Sequence, residues 1–346
     1  MVDAQTLQND VALISLKTIN DNNSFETNKT SLYSSALVDK WMNDRKPSET
    51  VLGYSHQNRE INAYYFPGTS NKKALVIAGV HGSELSAIEV AKELMQLLAT
   101  GKMSYYNIVV IPSLFPDNAD KALRIATKPI SNFGRYSSEE SVDPNRQMPA
   151  LGKSFSKENP VDMYGRNIER ENQFLLQLIQ DYQPSRIVNL HAIKDVTKAG
   201  VYADPRTDCN GYALGFETDS SLAVAMAQFI ESNGGNVPGN ELRKSSTALY
   251  YHDPEIAAAG LLQKRNLHGS ALLNNRGYGV SLGGWASTAV CDEEGKREAA
   301  RILTIEFPGY KPSFCYFGEE KDQCILNIQV YARAIREIFA EANYVE

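Results

Sequence analysis

The chain has 346 residues, 42% of them hydrophobic, and a formal net charge of -6. That size and apolar content suit one large α/β domain or two small ones. Acidic and basic residues are interspersed, which argues against the clustered basic face of a nucleic-acid-binding protein, and no apolar run reaches the roughly 18–20 residues needed to cross a bilayer.

The first residues, MVDAQTLQNDVALISLK, lack a basic segment followed by an apolar one and do not read as a secretory leader. The expectation is a cytoplasmic protein, or a periplasmic or secreted one if a leader was removed before residue 1. Cys209, Cys291, Cys315 and Cys324 are scattered without CxxC spacing. They are expected to be reduced thiols, although an even count also permits two disulfides.

Residues 1–30 are rich in Asn, Thr, Ser and Asp and have weak periodicity, so they read as an irregular extension. Residues 31–45 read as a short amphipathic helix with Leu32, Leu37 and Trp41 on its apolar face, ended by Lys46 and Pro47. The segment 1–48 is therefore expected to be an extension with one short helix, and 49–346 the main domain. ETVLGYS and INAYYF read as a hairpin. ALVIAGV (74–80) is a continuous apolar run, as in a strand covered on both faces. A helix is expected over 84–99, a buried strand over 106–114, and a long loop over 115–165, a length that within a compact domain is usually functional. A helix at 167–182, a strand at 186–190, a helix at 219–232 closed by Gly234-Gly235, a strand at 301–307 and a closing helix at 322–342 complete the chain. Interleaved strands and helices predict an α/β fold, a mixed and mostly parallel sheet with helices on both faces.

Three of these strands end in side chains with chemistry. The first ends at His81, with Glu84 three residues on; the second at His191; the third carries Glu306 just before Pro308-Gly309. In open α/β sheets, ligands bind beyond the carboxyl ends of the strands, so the three should converge on one crevice. Zinc is the natural tenant, because two histidines, one glutamate and a water form a known catalytic zinc set, and a further carboxylate can take the water's proton. Each residue also has a plainer reading. HxxE arises often by chance, His191 alone could be a hydrogen-bonded core histidine, and Glu306 could be a salt-bridged structural carboxylate. In the long loop, VDPNRQMP sets Asn145 beside Arg146, with Arg135 ten residues earlier; a guanidinium can grip a carboxylate with two hydrogen bonds.

Taken in order, these motifs resemble the zinc carboxypeptidases of the funnelin (M14) type. The likeness runs from about residue 50 to the end through LGYSHQNREI, GVHGSE, SLFPDNAD, VDPNR, NLHA and TIEFPG, although the family's Asn-Pro-Asp reads Phe-Pro-Asp here. The resemblance implies one Zn2+ per chain held by His81, Glu84 and His191, and Glu306 as the general base that later protonates the leaving amine. It implies Arg135 as the oxyanion arginine, with Arg124 able to serve instead. Asn145 and Arg146 would hold the substrate's free carboxylate, and Asp143 would orient His81. The mobile tyrosine of digestive members has no clear counterpart; Tyr278 is the nearest. GVSLGGWAS (279–287) is similar instead to the Ser-Phe-Gly-x-Trp loop of murein tripeptide amidases, which cleave γ-D-glutamyl–diaminopimelate bonds. That implies Ser281 and Trp285 as pocket residues, with a packing role for Trp285 equally open.

The function expected is hydrolysis of a peptide or amide bond next to a free carboxylate, in a short cell-wall peptide. One rival shares the metal chemistry: an N-acyl amino-acid deacylase of the succinylglutamate desuccinylase/aspartoacylase type, with similar HGxE and DxNR motifs. A rival of another class is a non-catalytic module that binds peptide carboxylates, for which a glutamate at position 306 has no use. No nucleic-acid partner and no membrane span are expected, and the sequence carries no sign of oligomeric state.

Overall fold

The computed structural model describes residues 34–124, 142–240, 279–293, 295–309 and 321–342. Helix α1 (Ala36–Asp44) precedes a hairpin of β1 (Ser48–Tyr54) and β2 (Glu60–Phe66). Then come β3 (Lys73–Ala78), α2 (Leu85–Thr100), β4 (Asn107–Ile111) and α3 (Pro116–Arg124). Next are α4 (Arg170–Tyr182), β5 (Arg186–Ile193), β6 (Gly200–Ala203) and α5 (Phe216–Ser232). The short α6 (Leu282–Ala286), β7 (Arg301–Pro308) and α7 (Lys321–Ala334) complete the set, and α7 runs on into a π turn over Ile335–Phe339.

The strands form one sheet in the order β1-β2-β4-β3-β5-β7-β6. Its centre, β4-β3-β5-β7, is parallel, and the hairpin at one edge and β6 at the other are antiparallel. The fold is the expected mixed α/β sheet. Because β3 is followed by β4 on one side and by β5 on the other, the strand order reverses there, which is where such sheets open a ligand crevice.

The continuous apolar runs become central strands because both their faces are covered. In β3, Ala74, Val76 and Ala78 join one core, packed beneath α2, α5 and α7, while Leu75 and Ile77 join the other, beneath α1, α4 and α6. The alternation is the two-residue period of a pleated strand. Helix α1 belongs to this second core: Val38 and Trp41 are buried, and the Trp41 ring stacks on Tyr65 at 5.6 Å and meets Tyr182 edge-on at 6.1 Å. The expected face residue Leu37 packs at the margin of that core, and Leu32 lies outside the described residues.

Two expectations change. The segment 115–165 is not all loop, since PDNADKALR folds as α3 and Pro144–Arg146 forms a 3-10 turn. The cysteines are not all reduced thiols, because Cys209 and Cys291 are joined in a disulfide across 82 residues of sequence. Spacing in the chain could not reveal a pairing that depends on two loops meeting in space. The expected extension 1–30 and Cys315 lie outside the described residues.

Candidate active site

His81 and Glu84 sit in the turn that leads from β3 into α2. The Glu84 amide donates to the His81 carbonyl at 3.0 Å, closing a turn that aims both side chains the same way. Glycine makes that turn possible: Gly79 has φ +69, and a Cβ on Gly82 would collide with Asn118 and Ala119 of α3. Glu84 caps the amino end of α2 without its side chain accepting from the helix, which leaves the carboxylate for the histidines.

His191 lies within β5, which continues to Ile193 rather than stopping at 190. His81 Nδ1 donates to Glu84 Oε1 at 2.8 Å and His191 Nδ1 to Glu84 Oε2 at 2.8 Å; Ala192 N also donates to Oε2, at 3.1 Å. The metal-capable atoms of His81, Glu84 and His191 all lie within 4.8 Å of one another, and all three side chains are buried. On the far side of the first imidazole, His81 Nε2 donates to Asp143 Oδ1 at 2.7 Å. Asp143 is itself fixed by its place as the N-cap of the Pro144–Arg146 turn, where it accepts from Asn145 N at 2.9 Å.

This buried pairing reshapes the acid–base chemistry. Burial alone would lower the pKa of His81, but the carboxylates of Glu84 and Asp143 outweigh it and bring the imidazole up to about 9. Burial alone would raise Glu84, but His81 and then His191 hold its carboxyl well below the usual range. A proton shared by His81 and Glu84 thus lies where a cation would sit, with Asp143 behind the imidazole. The donor set fits zinc: two imidazole Nδ1 atoms and one carboxylate face a common point, and the outer nitrogen of His81 is held by a carboxylate, the contact that turns the inner nitrogen toward a metal.

Around them opens a crevice of about 530 Å³ lined by His81, Glu84, Asn145, Arg146, His191, Lys194, Asp195, Lys198, Asp204, Ser281, Gly283, Thr304 and Glu306, among others. Glu306 stands directly across from His191 in the parallel β5–β7 ladder. Asn145 Nδ2 donates to His191 Nε2 at 3.3 Å, and its Oδ1 accepts from Leu282 N at 3.0 Å, which ties the 3-10 turn to both β5 and α6. Arg146 donates to the Asn145 carbonyl at 2.7 Å and keeps a half-buried guanidinium on the crevice wall. Ser281 lines the crevice and caps α6, accepting from Gly284 N at 3.0 Å.

Trp285 does not join them. It is fully buried, its indole N–H donates to the Lys153 carbonyl at 2.8 Å, and the Arg297 guanidinium lies 4.4 Å over its ring. Helix α6 turns this side chain inward onto the second core, the placement of the packing alternative. Arg124 ends α3, exposed, and pairs with Asp120 at 2.9 Å rather than facing the crevice. Arg135 and Tyr278 lie outside the described residues. The sequence reading missed Asp204 and Thr304, whose side chains meet at 3.2 Å on the crevice wall. Thr304 was within reach, because it stands two residues before Glu306 and so shares its face of β7. Asp204 carried no signal, since it follows a four-residue edge strand.

Two nitrogens and a carboxylate converging at the switch point of an open parallel sheet are the donor chemistry of a catalytic zinc site. The model of the zinc carboxypeptidase peptidases, M14, matches residues 40–233, more than half of the chain. The chain belongs to this family of zinc-dependent hydrolases, which act on peptide and amide bonds. No curated protein sequence matches it at significant similarity. Similar solved structures include carboxypeptidase A from Helicoverpa armigera, with 14% identity over 95% of this chain and 80% of that one and a TM-score of 0.46. Another is the murein-tripeptide amidase MpaA from Escherichia coli O157, with 18% identity over 84% of this chain and 92% of that one and a TM-score of 0.42. At such identities and scores neither structure bears on this chain's substrate.

Proposed function

We propose that this chain hydrolyses the bond next to a free terminal carboxylate in a short cell-wall peptide, of the γ-D-glutamyl–diaminopimelate class. The observation that carries the catalytic part is the meeting of His81, Glu84 and His191 at one point, with Glu306 level with His191 and Arg146 on the same crevice wall. His81, Glu84 and His191 hold one Zn2+. Zinc, when bound, acidifies a water and polarises the scissile carbonyl. Glu306 takes the proton of the attacking water and returns it to the leaving amine. Asp143 keeps His81 in the tautomer that presents Nδ1 inward. Asn145 and Arg146 take the terminal carboxylate, for which a guanidinium is suited in geometry and charge.

For the substrate, the support is the SLGGW stretch, whose Ser281 and Gly283 line the crevice, and a wall of both signs: Arg146, Lys194 and Lys198 against Asp195 and Asp204. Such a wall suits a peptide rich in carboxylates and amines. The Cys209–Cys291 disulfide supports an oxidising compartment, periplasmic or extracellular, over the cytoplasm. The test is to incubate zinc-loaded protein with muropeptides, N-acyl amino acids and ordinary C-terminal dipeptides and to identify the products by mass. Cleavage confined to muropeptides bears the proposal out. Turnover of acyl amino acids alone replaces it with the deacylase reading, and no turnover of any member with zinc bound leaves a carboxylate-binding module.

A further inference from the structure

The structure carries a second cluster of metal-capable side chains, none of which lines the crevice. His56 lies in the turn between β1 and β2. Glu169 is the N-cap of α4, and Glu171 stands in that helix's first turn. His56 Nε2 is 3.1 Å from Glu169 Oε2 and 3.9 Å from Glu171 Oε2, and the three atoms lie within 4.8 Å of one another. Ligands bound at about 2.0–2.1 Å with tetrahedral angles stand roughly 3.3–3.5 Å apart, so these spacings bracket those of a coordinated ion.

A group of acidic residues is not a site merely by being acidic. The independent sign is Glu171: its side chain is 3% exposed, and its Oε2, aimed at His56, has no hydrogen-bond partner. A buried carboxylate oxygen left without a donor is costly. Arg59 is engaged elsewhere, since it pairs with Asp117 at 2.8 Å and with Asp120 at 2.7 Å. Asp117 takes Ser55 Oγ and Gln57 N as further donors and so belongs to the hairpin turn, not to the cluster's interior. His56 keeps 20% of its side chain exposed, which leaves an entry path and room for water as a fourth ligand.

We propose that His56, Glu169 and Glu171 form a second divalent-metal site, distinct from the one in the crevice. One imidazole with two carboxylates selects a zinc-like ion over calcium or magnesium, which prefer all-oxygen ligands. The ion would tie the hairpin turn to the start of α4. The next residue, Asn172, donates its Nδ2 to the Pro144 carbonyl at 2.9 Å, and so holds the turn that carries Asn145 and Arg146. The second site therefore braces the crevice from behind without touching it.

The experiment is zinc stoichiometry by equilibrium dialysis and elemental analysis on four proteins: wild type, His81→Ala/His191→Ala, His56→Ala and Glu171→Gln. Two zinc ions are expected in the wild type, and one each in the double variant and in His56→Ala. Glu171→Gln, which preserves side-chain volume, should weaken one site by more than the ~10–100-fold that loss of an outer-shell partner costs. Zinc should also raise the Tm of the double variant, and millimolar calcium should not displace it. A wild type holding one zinc that disappears in His56→Ala would sustain this site and sink the crevice site. His56→Ala and Glu171→Gln that both retain the wild-type stoichiometry and affinity, or calcium binding at the cluster in place of zinc, would overturn the second site and reduce the cluster to an ion pair of His56 with two glutamates.

Discussion

Strand β7 carries a cluster of buried charge near each end, and the two are built on opposite principles. At its start, Arg301 Nε meets Asp219 Oδ1 at 2.6 Å, and Arg206 Nε meets Oδ2 of the same carboxylate at 2.7 Å. The Asp219 side chain is fully buried and each of its oxygens has a guanidinium. Opposite charges close on one another there, and nothing further is required. At its other end, Glu306 faces a cluster in which two imidazoles share one carboxylate and a second carboxylate stands behind them. Its inner atoms are all metal-capable and converge on one place, and one side opens to a crevice. Burial of charge is common to both. Convergence of donors on a point that solvent can reach separates a site that binds from a salt bridge that only packs.

The sharpest way to break that contrast is His81→Ala. We expect it to empty the crevice site of zinc and abolish turnover, because two of three protein ligands make a poor site; full crevice occupancy in this variant would mean the convergence is incidental. Glu306→Gln should keep zinc and lose ~10²–10⁴-fold in kcat, the range for removal of a general base. Near wild-type turnover would move Glu306 into the same structural class as Asp219. Asp219→Ala should do the reverse. It removes the carboxylate from one buried and one partly buried guanidinium and should cost about 3–5 kcal/mol in urea unfolding, while the folded protein keeps its kcat; a selective loss of kcat would erase the distinction between the two ends of β7.

Smaller effects sharpen the picture of the crevice. Amidating the substrate's terminal carboxylate should cost about 2–5 kcal/mol in kcat/KM, the scale for leaving a buried charge unpaired. Arg146→Ala should lose activity on the acid while discriminating little between acid and amide. Equal rates on both substrates in the wild type would remove the carboxylate clamp. The gentlest perturbation is pH on the metal-free protein. The His81 pKa is raised above its unfolded value, so its contribution to stability is complete below about pH 6.5 and fades as the pH rises through about 9. Glu84 is depressed, so its contribution is present above about pH 4.5 and fades in acid. Metal-free protein should therefore lose Tm between pH 6.5 and 9, and zinc-loaded protein should not, because the metal takes the place of the proton. A flat metal-free profile over that range would show that the pair is not coupled as the geometry requires.

The sheet was legible in the sequence because its central strands are covered on both faces, and a strand that must bury both faces is apolar throughout. ALVIAGV, YNIVVIPSL and RILTIEF carry that signature, and their ends pointed to His81 and Glu306 before any contact was known. Helix α1 was legible from its apolar face, but not its role as a wall of the second core, which depends on Tyr65 and Tyr182 arriving from elsewhere. The reading stayed open where residues of one type can face either way. Trp285 sits in a motif that points to the pocket, yet a five-residue helix decides its direction, and that helix is positioned by Ser281 and by Asn145 from another loop. Likewise α3 was hidden within a polar stretch, because PDNADKALR buries only Asp117, Asn118, Ala119 and Ala122.

By itself, then, the sequence determined which strands lie at the centre of the sheet and which chemical groups stand at their carboxyl ends, since both follow from local hydrophobic pattern and strand polarity. Only the tertiary structure decided which of those groups meet. Glu84 reaches His191 across 107 residues of chain, Asp143 reaches His81 across 62, and Cys209 reaches Cys291 across 82. The first two arise because parallel strands bring distant segments together at one edge, and the third because two loops meet in space. Only the fold could reveal the cluster of His56, Glu169 and Glu171 as well, because a hairpin turn and a helix start come together there through the packing of the sheet on α4, and no periodicity in the chain records that meeting.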